Sequence, residues 1–176
     1  MTPLRYYLLG TGTWFASYGI QGVIFAWLIT LVLRETPSMV GVAQTAMLLP
    51  AMLFMLIGGS LADRWGGRIV AARAQALAVL PPLILVYVLI TDRLSIEIMI
   101  GYAAAIGVLN AFVTPARDSL LNTVSSGRIQ RTVVQVTLLQ FTVQMLGFAL
   151  AGTAAYIGAE WIVLTQALLL AIGAWA

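Results

Sequence analysis

"GGSLADRWGGRIV", residues Gly58 to Val70, is the stretch on which the fold turns. It sets one acid, two arginines and four glycines into a chain that is otherwise almost unbroken hydrocarbon. Apolar runs flank it, from about Met39 to Ala62 before and from about Ile69 to Ile90 after. Each comes close to or exceeds the roughly 20 residues that carry a helix across a bilayer core. A charged, glycine-rich break between two such runs reads as a turn at a membrane surface. Composition points the same way. The chain is 61% hydrophobic and 9% charged, with a mean hydropathy of +1.00. A soluble domain is about a quarter charged, so these residues cannot clothe a water-facing surface.

Working outward from the break, four more apolar runs follow the same reading. They cover about Tyr6 to Leu33, Ile98 to Ala116, Thr132 to Ile157 and Trp161 to Ala176. The expected fold class is therefore an all-α membrane protein with six transmembrane helices in a single bundle spanning residues 1–176. The first run is longer than the apolar region of a cleaved signal, and no small-residue cleavage site opens a soluble domain after it. It reads as a retained helix. The sixth run, at 1.5 Å per residue, covers only about 24 Å of a core about 30 Å thick, so the last helix is expected to be truncated.

Arginine placement orients the bundle. With the N-terminus in the cytoplasm, Arg5, Arg64, Arg68, Arg73, Arg117, Arg128 and Arg131 fall on the inner side, and only Arg34 and Arg93 outside. The positive-inside rule favours that arrangement. Function classes fall away by absence. The chain has no Cys, no His and no Lys. Common zinc sites, Ser-His triads, thiol nucleophiles, Schiff bases and Walker-type ATP sites are thereby excluded. No cofactor, metal or enzymatic activity is expected. A pI of about 9.7 could invite a nucleic-acid reading. The net charge is only +3, and the arginines sit at helix ends rather than clustered with aromatics, so no nucleic-acid partner is expected.

Gly59, Leu61, Ala62, Asp63, Arg64, Gly66 and Arg68 resemble the signature loop of the major facilitator superfamily, G-x-L-A-D-R-x-G-R-R. Gly67 departs from it, standing where the family usually has Arg or Lys. Pro115-Ala116-Arg117, with Leu120 and Leu121, is similar to the inner end of helix four in drug and siderophore exporters of that superfamily, its proton antiporter branch. Gly147 and Gly152 match part of a glycine-rich helix-five motif, with Phe148 at its proline position. The resemblance implies half of a major facilitator fold, its N-terminal six-helix half, built of two inverted three-helix repeats. It also implies an integral protein of a bacterial-type inner (plasma) membrane, and efflux of small hydrophobic or amphipathic molecules by alternating access, and leaves proton coupling open. The expected partners are the lipid bilayer, a small-molecule substrate, and a C-terminal six-helix half or a second chain. The alternative reading is a non-transporting membrane interaction protein, a half-transporter that pairs with another chain.

Two groups of side chains carry the expected chemistry. Asp63, Arg68, Arg117 and Asp118 form a cytoplasmic charge cluster in which opposite charges can clasp the inner side closed. In the superfamily, helices one, two, four and five face the substrate cavity. That implies Tyr18, Gln21, Gln44, Asn110, Gln140 and Gln144 as its lining, polar groups being costly inside spans and often functional. Gln140, Gln144, Gly147 and Ala151 recur at helical spacing, which makes one face of helix five polar and small. No acid lies deep in any span. Pro115 is expected to break helix four as it leaves the membrane, and Pro81-Pro82 to kink helix three.

Overall fold

The computed structural model describes residues 3–125 and 129–175. Arg128 and Ala176, named above, lie outside the described residues. Helix α1 (Pro3–Trp27) runs into a five-residue π-helical turn (Leu28–Val32), so the first span is continuous. The second span is α2 (Pro37–Trp65), and the third is α3 (Gly67–Leu77) with α4 (Leu80–Ile90). The fourth is α5 (Ile96–Val124). The fifth is α6 (Ile129–Ala151) with the short α7 (Ala154–Ile157), and the last is α8 (Ala159–Trp175). Five of these six units are long and apolar enough to cross a membrane, and α8 is the shorter one at 17 residues. The protein is an all-α membrane protein of about six helices.

Local chemistry sets the ends. Pro37 opens α2, where a missing N–H costs no helical bond. Ser95 caps α5, its Oγ accepting the Ile98 N–H at 3.4 Å, and Glu97 sits in the first turn, where the helix dipole favours an acid. Between α2 and α3 the turn is narrower than the sequence implies. Helix α2 continues through Asp63 and Arg64 to Trp65, and Gly66 alone turns the chain, at φ 86°, a conformation that favours glycine. Gly67 is already helical. It is buried against the Ala116 carbonyl, and an added Cβ would lie 2.5 Å from that oxygen. The departure from the signature at this position is therefore a packing position.

The prolines behave in two ways. Pro81 and Pro82 start α4 after a break at Ala78–Val79, so the third span is two helices, as a pair of missing donors requires. Pro115 does not end its helix; α5 runs on to Val124. A proline leaves the carbonyl four residues back without its helical donor, and here that is Ala111. This oxygen is the atom against which Gly58 of α2 packs. Close Cα–H···O contact of that kind gives the freed carbonyl a weak partner.

Helix pairing follows the glycines. Gly12 meets Leu139, Gly19 meets Gln144 and Gly22 meets Phe148, contacts that advance together, so α1 and α6 run parallel. Gly107 meets Met47 and Gly58 meets Ala111, which sets α5 parallel to α2. Exchanging the first three spans for the last three converts one pair into the other, as inverted repeats demand. The third and sixth spans contact each other, and each also flanks a helix of the opposite repeat, α3 against α5 and α8 against α1. Lipid tails are as apolar as leucine, so close backbone approach through small residues, rather than exclusion from water, holds such a bundle. The largest buried cluster, with Ile24, Phe25, Leu28, Leu85, Met99 and Ile162, lies toward the end of the bundle where the first span finishes.

Candidate functional site

Two polar layers cross the bundle. The first lies near mid-span, where Tyr18, Gln21 and Asn110 converge with Trp14, Ser17 and Gln166 around a crevice of about 10 Å³. That is close to the least space a single water needs. Gln21 is buried and its amide donates to the Met47 sulfur at 3.1 Å. Asn110 is half-buried and its Oδ1 accepts from the Thr114 hydroxyl at 2.9 Å. Tyr18 is 36% exposed. Behind them Gln166 of α8 donates to the Tyr102 hydroxyl at 3.1 Å, and its backbone carbonyl accepts from Ser17 at 3.3 Å.

Gln44, Gln140 and Gln144 do not line this crevice. All three are half-buried. Among the described residues their amides make no hydrogen bond to the protein, so they do not act as interhelical ties. Gln140 and Gln144 flank the seam where α6 packs on α1, while Gly147 sits in that seam against the Ala16 carbonyl. Gly152 is exposed, in the turn after α6. The α6 and α2 faces turned away from the bundle are almost wholly exposed.

The second layer lies at the end of the bundle that carries the Gly66 turn. Its centre is Arg117, 7% exposed. Its Nη1 donates to the Thr11 hydroxyl at 2.7 Å, and its Nη2 donates to the Gly10 carbonyl at 2.7 Å and to Gln75 Oε1. Gln75 Nε2 in turn donates to Thr13 Oγ1 at 3.4 Å, and the Tyr7 hydroxyl donates to the Arg117 carbonyl at 3.4 Å. Gly173 of α8 closes over this knot, with no room for a side chain beside Gln75 and Thr13. The arginine thus ties α1, α3 and α5 together through neutral acceptors.

The expected charge cluster has a different geometry. Asp63, Arg64 and Arg68 are exposed around the Gly66 turn, and Asp118 is exposed on α5. No ion pair forms among the described residues, and Arg117 points to α1 and α3 instead of Asp63. The signature positions are brought to one end of the bundle, with Gly59 against Pro115, but their charges stay apart in this conformation.

Gln75 and Gln166 stand on the third and sixth spans, outside the four helices that the family resemblance sets around the cavity. A signal was present: each is the single amide side chain of its span, and such groups rarely lack a partner. A family model described as "Transmembrane secretion effector" matches residues 6–175. No curated protein and no solved structure matches the chain.

Proposed function

The chain belongs to the transmembrane secretion effector family of major facilitator transporters, and we propose that it moves small hydrophobic or amphipathic molecules outward by alternating access. The observation that carries this reading is the set of half-buried amides at Gln44, Gln140 and Gln144, with Tyr18 and Asn110. They present hydrogen-bonding groups on the faces of α1, α2, α5 and α6 that the bundle leaves open. Polar groups at that depth stay favourable where water or cargo reaches them. Few charges line the faces, which suits a cargo that is mostly apolar. The arginine bias supports a cytoplasmic N-terminus, so the Gly66 turn is assigned to the inner side. Proton coupling, if it resides in this chain, has only Asp63 and Asp118 near that side to use, since no acid lies deeper.

The test uses the absence of native cysteine. Single cysteines at 44, 140 and 144 are expected to react with small hydrophilic thiol reagents in the membrane-embedded protein, and cargo is expected to slow the reaction. A cysteine at 146, on the exposed apolar side of α6, is expected to stay unreactive, as is one at 151, which is buried. Protection at 44, 140 and 144 alike would remove the pathway. Transport itself is read as efflux of an amphipathic dye from energised vesicles, and full efflux by a Gln140→Leu, Gln144→Leu double variant would equally overturn the assignment.

A further inference from the structure

At the end of the bundle that carries Gly66, a cavity of about 410 Å³ opens between α1, α3, α5 and α8. Its walls include Tyr6, Tyr7, Arg68, Gln75, Arg117 and Trp175. We propose that this cavity binds an amphipathic anion, a phosphate or carboxylate carried on an apolar body. The inference does not depend on the transport reading.

Charge carries the argument. Arg117 is more than nine-tenths buried, yet among the described residues no carboxylate lies within 4 Å of it. Of the five N–H donors of a guanidinium, three are engaged by Thr11, Gly10 and Gln75. Among the described residues its Nε has no partner. Neutral acceptors satisfy donors but cancel no charge, and an uncompensated cation is costly in a low dielectric. The acids at this end of the bundle, Asp118 and Asp63, are both exposed and unpaired among the described residues. A bound anion supplies the countercharge that the described residues do not.

The cavity's shape agrees with that ligand. Arg68, Ala71, Ala72 and Gln75 fall on one face of α3 at helical spacing. The two alanines leave the room, and Arg68 brings a second guanidinium to the same wall. Planar guanidinium forks match phosphate and carboxylate oxygens better than an ammonium does. Tyr6, Tyr7, Leu120, Val124 and Trp175 make the rest of the lining aromatic or apolar, suited to the ligand's body. The volume falls in the range of about 300–1,000 Å³ usual for small-molecule sites. Tyrosine and tryptophan at a span's end mark the depth of lipid headgroups, so an acidic phospholipid and a soluble organic anion present the same chemistry here.

The experiment is native mass spectrometry of the purified full chain in mixed micelles, with phosphatidylglycerol, phosphatidylcholine or inorganic phosphate as the probe. Phosphatidylglycerol is expected to be retained at least tenfold better than phosphatidylcholine. Arg68→Gln and Arg117→Gln are each expected to lower that retention about tenfold, while Arg73→Gln, on an exposed position of α3 outside the cavity, leaves it unchanged. Preference that survives millimolar phosphate assigns the site to lipid. Arginine-dependent phosphate binding that displaces the lipid assigns it to soluble anions, and either result supports an anion site. Equal retention of the two lipids with no phosphate binding overturns the proposal, as does retention that Arg68→Gln leaves intact. Arg68 is exposed at the start of α3, so this last arm stands even where Arg117→Gln does not fold.

Discussion

Arg117 is held by a hydroxyl, a carbonyl and an amide, so its neighbours bear the cost of its burial. Replacing Gln75 by Leu removes one acceptor without adding a charge. The expected loss is about 1–3 kcal/mol, the usual cost of a buried donor left unsatisfied, read as a lowered midpoint of thermal unfolding in detergent. Gln75→Leu combined with Arg117→Met is expected to cost clearly less than the two single losses added, because the residues share one hydrogen bond. Asp63→Asn with Arg117→Gln is expected to be additive in stability, since the two side chains form no ion pair in this conformation. Coupling between Asp63 and Arg117, paired with independence of Gln75 and Arg117, would show that another conformation dominates. The signature motif located the right end of the bundle, but which residue touches which depended on side-chain direction, and spacing does not encode that.

Among the elements, the parallel pairs α1–α6 and α2–α5 depend on glycine at their closest points. Gly147 meets the Ala16 carbonyl and Gly107 the Met47 carbonyl, both backbone atoms that cannot swing aside. Gly147→Val or Gly107→Val is expected to destabilise the bundle by about 1–3 kcal/mol, as overpacking does, measured by unfolding in detergent. Gly101→Ala meets open space. That change is expected to be neutral or to stabilise by up to about 1 kcal/mol, the difference in helix propensity. Equal losses at all three positions would mean that the pairs do not pack through these contacts. Because only an apolar stretch crosses a bilayer, hydrophobic run lengths located the spans to within about three residues, except at the inner end of α5, which runs on past Ala116 to Val124. They could not show α5 passing through Pro115, since that continuity rests on what Gly58 offers from another helix.

For the whole molecule, orientation and pathway belong together. Cysteines beside Arg68 are expected to escape an impermeant reagent applied outside intact cells, while cysteines beside Arg34 and Arg93 react. Labelling beside Arg68 but not Arg93 would invert the bundle and, with it, the proposed direction of transport. The inverted-repeat arrangement puts the third and sixth spans beside each other and leaves α2 and α6 with open faces. The half-buried glutamines stand at the edges of those faces.

Composition by itself determined the class of protein: with 9% charge, the chain has no way to solvate a surface, and backbone polar groups in lipid must then be satisfied within helices. Arginine counts favoured an orientation, and the Gly59–Arg68 motif identified the family, because those features act locally and need no partner. Tertiary structure alone decided where Arg117 spends its charge, why Gly67 is small, and that Gln75 and Gln166 belong to buried polar layers. Each of those depends on an atom more than 40 residues away, brought close only when the helices pack, and no local pattern carries that information.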